Sequence, residues 1–133
     1  MKMNYFVFGT NDKTKAVAFY DVLFENSGLS KIHDEGRMTL WANEDLMFAV
    51  AEPFDGKAAS NGNGTMLGFN VGSAKEVDRL YKKALELGGT SEGEPGVRSG
   101  RHSAYVRDLE IKTKYVYSSD SARSLKVGAE FVS

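Results

Sequence analysis

The sequence predicts an α+β fold built from two tandem copies of one βαβββ module. Three features lead to this prediction: a dense cluster of turn-forming residues near mid-chain, one amphipathic helix on each side of it, and short strand-like segments around each helix. The cluster runs from Pro53 to Gly64 and holds one of the 2 prolines. Because Pro fixes its own φ and Gly and Asn adopt positive φ readily, no helix or strand should cross it. We therefore interpret 53–64 as a hinge.

The predicted modules cover about residues 1–52 and 65–117, with a C-terminal tail at 118–133, and together form a single domain of 133 residues. A chain of this length can bury a sizeable core as one domain.

In the first module, the aromatic and β-branched segment Tyr5–Phe8 is typical of a strand. Asn11 or Asp12 can cap the helix that follows. Its apolar residues recur at i, i+3, i+4 and i+7, as one buried face requires. They are Ala16, Phe19, Tyr20 and Leu23. Gly28 is the expected stop. Three further strands, separated by short turns, are expected at Leu29–His33, Arg37–Ala42 and Leu46–Ala51.

In the second module, a strand is expected at Thr65–Val71. Ser73 and Glu76 have the spacing of a capping box at a helix N-terminus. The apolar stripe of this helix consists of Val77, Leu80, Tyr81 and Ala84, and Gly88-Gly89 should end it. The Gly-rich segment from Thr90 to Gly100 predicts at best a ragged strand. Two firmer strands are expected at Ser103–Arg107 and Lys112–Tyr117.

A single shift of 61 positions superimposes the two modules. It carries Tyr5 onto Met66 and the cap Asp12 onto the cap Ser73. It also carries the expected stop Gly28 onto Gly89. Agreement of strand, cap and stop at one shift indicates an internal duplication.

Composition excludes several classes of function. The 17 basic and 18 acidic residues nearly balance, which argues against nucleic acid or an anionic membrane as partner. With no cysteine, there is no disulfide, thiolate metal site or cysteine nucleophile. The apolar run at the N-terminus is too short for a signal peptide, and no run approaches the ~20 residues of a membrane span. The expectation is a soluble cytoplasmic protein.

The duplicated βαβββ pattern resembles the vicinal oxygen chelate superfamily, which includes glyoxalases, bleomycin-resistance proteins and extradiol dioxygenases. The segment from Gly9 to Tyr20 resembles the first strand-to-helix segment of that family. Pro53-Phe54-Asp55-Gly56 and Gly62-Asn63-Gly64-Thr65 resemble the linker of its lactoylglutathione-lyase-like branch. Ala84–Gly89, Pro95-Gly96-Val97-Arg98 and Tyr105-Val106-Arg107-Asp108 resemble later segments of the same branch. The ordered set extends to about Tyr117.

The resemblance implies a curled mixed sheet in each module, with helices outside and a ligand cavity inside. Strand alternation then places Leu67, Phe69 and Val71 towards the helix. Met66, Gly68 and Asn70 would face the cavity, where Gly68 leaves room for a ligand.

Members of this superfamily usually bind a divalent metal through His, Gln or Glu on the first and last strands of each module. By position, these ligands would fall on Tyr5, on Met66, near Phe48 to Val50, and near Lys114 or Tyr115. None of these residues suits a hard or borderline divalent ion. We therefore expect no metal and no other cofactor.

Other residues at these and neighbouring positions suggest a pocket for a small, partly aromatic or amphiphilic organic molecule. The candidate ligand-cavity residues are Tyr5, Trp41, Phe48, Met66, Gly68, Asn70, Tyr105, Lys114 and Tyr115. Plain core packing is the alternative for each aromatic residue. His102 could be a general acid or base at the cavity mouth, or simply a loop residue. Glu52 could be a base, or a solvated residue at a strand end.

Three functions remain compatible with the sequence. The first is a metal-independent binding module like the bleomycin-resistance branch, favoured by the missing metal ligands. The second is a lyase or isomerase of the lactoylglutathione-lyase type with a divergent active site, favoured by the linker motifs. The third is a regulatory subunit with a vestigial cavity. By resemblance, a two-fold homodimer is expected in each case.

Overall fold

The computed structural model describes residues 1–62, 64–109 and 114–119. The chain divides into two compact units, of which the first holds residues 1–62 and 109 and the second residues 64–108 and 114–119. Asn63 in the predicted hinge, and residues 120–133 of the predicted tail, lie outside the described residues.

The secondary structure confirms the α+β prediction and the βαβββ repeat. The elements of the first unit are β1 (Tyr5–Gly9), α1 (Lys13–Leu23), β2 (Ser30–Glu35), β3 (Met38–Ala42) and β4 (Met47–Ala51). The elements of the second unit are β5 (Met66–Asn70), α2 (Ala74–Glu86), β6 (Thr90–Arg98), β7 (Arg101–Arg107) and β8 (Lys114–Ser118).

Both units contain a mixed four-stranded sheet with the same topology. The strand order is β1-β4-β3-β2 in the first and β5-β8-β7-β6 in the second. In each sheet the first and last strands of the module pair in parallel, and the other pairs are antiparallel. Tyr5 pairs with Met47, and Met66 pairs with Lys114. The register therefore makes these two pairs equivalent under the internal duplication.

The helix N-termini follow the sequence signals. The carboxylate of Asp12 accepts a hydrogen bond from the backbone N–H of Lys15 at 3.1 Å. The hydroxyl of Ser73 accepts one from the backbone N–H of Glu76, also at 3.1 Å. Each cap satisfies a donor that the helix itself leaves without a partner, which stabilises the helix by about 1 kcal/mol.

Two strands differ from the sequence prediction. Asp34 and Glu35, predicted as a turn, belong to β2, and Gly36 at φ 61° makes the turn instead. β6, predicted as ragged, is a strand of 9 residues with register shifts between Ser91 and Gly96. Its Pro95, which lacks an N–H, is accommodated because β6 lies at the sheet edge.

Part of the predicted hinge is anchored within the first unit. The side-chain amide of Asn11 donates to the backbone carbonyl of Ala59 at 3.1 Å and accepts from its N–H at 2.6 Å. Asn11 thereby mimics a strand partner for this segment. Gly9 permits the approach, because a Cβ there would lie 2.9 Å from the Cβ of Ala59.

The core of the first unit is aromatic. Tyr20 and Phe24 at the end of α1 pack on Trp41 of β3 and Phe48 of β4, with ring centroids 4.9 to 5.9 Å apart. Trp41 also donates its indole N–H to the carboxylate of Asp21 on α1 at 3.1 Å. Full burial of such a side chain contributes about 1.5–3 kcal/mol. This cluster fixes which face of the sheet α1 covers.

The core of the second unit lies between α2 and its sheet. Val77, Leu80 and Ala84 form the buried stripe of α2, whereas Tyr81, the fourth predicted member, is half-buried. The buried apolar residues of the sheet are Leu67, Ala104, Val106, Tyr115 and Tyr117. Neither of the described helices is long and apolar enough to cross a membrane.

Candidate functional site

Each sheet has one face covered by its helix and one helix-free face. In the second unit, two contacts mark the covered side. The imidazole Nε2 of His102 on β7 lies 2.7 Å from a carboxylate oxygen of Asp78 on α2. The hydroxyl of Tyr81 on α2 donates to that of Ser91 on β6 at 2.8 Å. Because side chains alternate along a strand, the neighbours of His102 along β7 point the other way.

The helix-free face of the second unit combines apolar, aromatic and charged side chains. Its central members, defined by alternation and register, are Met66, Gly68, Asn70, Tyr105, Lys114 and Val116. Met66 is 48 % exposed. Gly68 has an ordinary backbone conformation, and a Cβ there would lie 3.2 Å from Val116 Cγ1. Any side chain at position 68 would therefore require the Val116 side chain to shift.

Two cations flank the ring of Tyr105 on this face. The Arg98 guanidinium carbon and Lys114 Nζ each lie 5.3 Å from the ring centroid, within cation–π range. Arg98 is committed to the backbone, because it donates to the carbonyls of Ser103 at 2.5 Å and Glu94 at 2.6 Å. Lys114 makes no ion pair with a carboxylate among residues 1–62, 64–109 and 114–119. Arg98 is therefore occupied by backbone hydrogen bonds, whereas the ammonium group of Lys114 has no carboxylate partner in the described residues.

The nearby acidic charge is already paired. Arg107 on β7 forms an ion pair with Glu92 on β6. The hydrogen bond from Arg107 is the main reason that the pKa of Glu92 lies below its ordinary value, and the charge of Lys114 makes a smaller contribution. Glu92 is therefore an anion in the folded protein, and its closest partner is Arg107.

On β1 and β4, the helix-free face of the first unit is apolar. Tyr5 and Val7 on β1 are 57 % and 44 % exposed. Met47 and Ala49 on β4 lie beside them in register. Exposed apolar side chains on an edge strand are typical of a surface that contacts a ligand or another chain.

Three of the sequence-predicted cavity residues lie on the covered faces instead. Trp41 is 2 % exposed, Phe48 0 % and Tyr115 1 %. Trp41 and Phe48 pack against α1, and Tyr115 pairs in register with the buried Leu67 and Val106. These residues are core, which corrects their assignment to the cavity. The physical reason is strand alternation: Tyr115 follows Lys114 directly, so the two cannot face the same side.

The other six cavity candidates lie on helix-free faces. In the first unit this residue is Tyr5. In the second unit they are Met66, Gly68, Asn70, Tyr105 and Lys114. The five in the second unit occupy three adjacent strands, β5, β8 and β7, so the structure brings them together on one surface.

The two catalytic candidates are placed away from these faces or at their margin. His102 belongs to β7 rather than to a loop, and its imidazole contacts Asp78 of α2 on the covered side. This placement corrects the assignment of His102 to the cavity mouth. Glu52 is exposed just beyond β4, where its backbone N–H donates to the carbonyl of Arg37 at 2.8 Å. The contact of His102 with Asp78 therefore lies on the face opposite to Met66, Tyr105 and Lys114.

Met47 is the position that the sequence interpretation missed. The fourth-strand ligand position was placed near Phe48 to Val50, but the helix-free partner of Tyr5 is Met47. All five residues of β4 are apolar, so the strand lacks the polar–apolar alternation that would reveal its faces. The 61-position shift that relates Tyr5 to Met66 does not identify Met47 either, because the pairing of Met47 with Tyr5 follows only from the register between β1 and β4.

The residues at the expected metal positions do not fit a divalent metal. The pairs Tyr5–Met47 and Met66–Lys114 provide a phenol, two thioethers and an ammonium group. Thioethers are soft ligands, a phenol must lose a proton with a pKa near ~10, and an ammonium group repels a cation. Within residues 1–62, 64–109 and 114–119, no three His, Asp or Glu residues cluster in a way that could hold a metal ion.

Comparison with known proteins gives a consistent family. No protein-family model and no curated protein matches the sequence. Among solved structures, the chain is similar to a glyoxalase/bleomycin resistance protein from Albidiferax ferrireducens, with 28 % identity and a TM-score of 0.79. That match covers 86 % of this chain and 94 % of the other.

Two further structures share the fold at lower identity. A glyoxalase/bleomycin resistance protein/dioxygenase family enzyme from Burkholderia phytofirmans is 18 % identical, with a TM-score of 0.72, and the match covers 89 % of this chain and 98 % of the other. A lactoylglutathione lyase from Agrobacterium tumefaciens is 18 % identical, with a TM-score of 0.65 and coverages of 87 % and 91 %. These last two structures show that the chain shares their fold. Together with the duplicated βαβββ topology, the 28 % identical structure supports the glyoxalase/bleomycin resistance/dioxygenase superfamily, that is, the vicinal oxygen chelate superfamily.

Proposed function

We propose that this protein is a metal-independent module that binds a small, partly aromatic or amphiphilic organic molecule. The observation that carries this proposal is the chemistry of the two register pairs, Tyr5–Met47 and Met66–Lys114. In this superfamily, a metal site would need carboxylate or imidazole groups at such positions. These pairs offer ring, thioether and ammonium groups instead, which bind organic ligands by dispersion, stacking and charge.

The exposed composition of the helix-free faces supports this ligand class. Large apolar side chains are normally buried, yet Tyr5 and Met66 are 57 % and 48 % exposed. Asn70 and Lys114 add polar groups to the face that carries Met66. An apolar surface with a few polar groups is the usual composition of a small-molecule site.

Two measurements on the same preparation test the proposal. Elemental analysis after purification without chelator should give far less than one Zn, Ni, Mn or Fe per chain. A thermal-shift screen of aromatic and amphiphilic compounds should give the same stabilising ligands with and without EDTA. A metal-to-chain ratio near one, lost in Glu52→Gln or His102→Gln, would overturn the proposal by revealing a metal site elsewhere.

The same screen separates binding from catalysis. Compounds that stabilise the protein should be recovered unchanged after prolonged incubation, as followed by NMR. Conversion of a bound thiol adduct or other ligand would instead favour the lyase or isomerase of the lactoylglutathione-lyase type. The imidazole–carboxylate contact between His102 and Asp78 lies on the covered side of the sheet and not on the proposed ligand surface. If no compound in the screen stabilises the protein, the third function, a regulatory subunit, would be favoured.

A further inference from the structure

We propose that the ligand is an anion, and that Lys114 binds its carboxylate or phosphate oxygen beside the ring of Tyr105. This inference rests on the proposed function, since it names the chemical class of the same ligand. It is carried by the position of one side chain and by the fact that this side chain has no ion-pair partner among the described residues.

Lys114 lies at the centre of a mixed surface. On β8 it is half-buried, with Met66 on β5 and Arg107 on β7 as its register partners. Its ammonium group is 5.3 Å from the Tyr105 ring centroid. An anion bound there would have an aromatic ring and a thioether beside it. A ligand with an acidic group and an apolar body matches both features.

The charge of Lys114 is not neutralised within the described residues. Lys13 and Lys31 of the first unit have Asp34 and Asp21 at 3.2 and 2.9 Å. Lys114 has no carboxylate within ion-pair distance in residues 1–62, 64–109 and 114–119. The closest acidic group by electrostatic effect, that of Glu92, is paired with Arg107. A partly desolvated ammonium group without a counter-charge favours the approach of an anion.

The other cation at Tyr105 cannot play the same part. The Arg98 guanidinium donates to the backbone carbonyls of Ser103 and Glu94, and these bonds hold the irregular end of β6. Its role is structural, so the recognition of a ligand anion is assigned to Lys114 alone. Because Arg98 makes these backbone hydrogen bonds, a substitution of Lys114 leaves them in place.

Matched pairs of probes distinguish the charge from the apolar body. The probes are 2-naphthoate with 2-naphthamide, and 2-naphthyl phosphate with 2-naphthol, titrated calorimetrically into the full chain at low salt. Because a hydrogen bond to a charged group is worth more than a neutral one, one anion should bind roughly tenfold or more tightly than its neutral partner. The pair that shows the larger ratio identifies carboxylate or phosphate as the recognised group. Added salt should reduce that ratio.

Three variants locate the effect. Lys114→Met, which keeps the chain length and removes the charge, should abolish the preference for the anion, whereas Lys114→Arg should retain it. Lys82→Met removes an exposed lysine on α2 and should leave the preference unchanged. Melting temperatures confirm that each variant is folded. If Lys114→Met were unfolded, Lys114→Gln, which also removes the charge, should lose the preference in its place.

The outcomes separate the inference from the proposed function. If neutral and anionic probes bind equally and Lys114→Met changes neither, the anion inference is wrong while the binding function stands. If no probe binds in either pair, both fail for this ligand class. If inorganic phosphate alone binds as tightly as the naphthyl phosphate, the apolar part of the inference is wrong. An anion preference that persists in Lys114→Met would place the anion site elsewhere.

Discussion

Replacing Phe48 with alanine tests whether β4 turns this side chain towards α1 or towards a ligand. Phe48 is 0 % exposed and packs on Tyr20 and Phe24 at ring-centroid distances of 4.9 and 5.2 Å. Removing a buried phenylalanine costs about 3–5 kcal/mol, because apolar contacts are lost and a cavity is left. That is a large fraction of the ~5–15 kcal/mol that stabilises a typical domain.

Urea unfolding measures this loss directly. The chain has one tryptophan, Trp41, which is 2 % exposed beside Phe48, so its fluorescence reports unfolding of the first unit. With an unfolding slope of ~1–3 kcal/mol/M, the midpoint of Phe48→Ala should fall by more than about 1 M. Phe54→Ala removes the same atoms from a side chain that is 88 % exposed, and it should change the free energy of unfolding by less than ~0.5 kcal/mol. Equal midpoints for the two variants would refute the placement of Phe48 in the core.

The remaining predictions concern backbone packing, pH, the ligand surface and assembly. Gly89→Ala should lower the free energy of unfolding in urea by ~1–3 kcal/mol, because the new Cβ would lie 2.7 and 2.9 Å from two backbone carbonyl oxygens. Gly96→Ala is the control, since its closest such contact is 4.0 Å. Equal losses in the two variants would contradict this account. The hydrogen bond from Thr39, together with a nearby lysine, lowers the pKa of Asp34. Its contribution to stability should therefore be complete above the unfolded pKa of ~3.9 and lost as the pH falls through the folded pKa, so the stability difference between wild type and Asp34→Asn should shrink at acid pH. Gly68→Trp should abolish ligand-induced thermal shifts without unfolding the protein, and equal shifts in both proteins would show that Gly68 lies outside the site. Light scattering should give twice the 14.6 kDa chain mass, and a monomer at high micromolar concentration would exclude the proposed homodimer.

Local signals predicted the elements well, because their causes are local. The caps at Asp12 and Ser73 depend on a side chain and an N–H three residues on, and both hydrogen bonds form. The 61-residue repeat predicted two equivalent units, and both sheets have the same strand order. Alternation in β5 predicted the two faces of Met66–Asn70, since Leu67 is buried and Met66, Gly68 and Asn70 are exposed.

The candidate site was predicted only where alternation was visible. In β8 the signal was present but unused: Tyr115 and Tyr117 are buried, whereas Lys114 and Val116 lie on the other face. In β4 the signal is absent, because Met47 to Ala51 are apolar throughout. Trp41 and Phe48 were therefore assigned to a cavity on the basis of residue type alone.

The sequence by itself determined the two βαβββ modules and their helix caps and stripes. These properties depend on neighbours within a few residues or on an internal repeat. Only the tertiary structure decided that Met47 is the partner of Tyr5, and that Phe48 and Trp41 pack on α1. It also decided that Arg107 pairs with Glu92 while the ammonium group of Lys114 lies beside the ring of Tyr105. Strand register and charge pairing join residues far apart in the chain, so they are set by packing and not by local pattern.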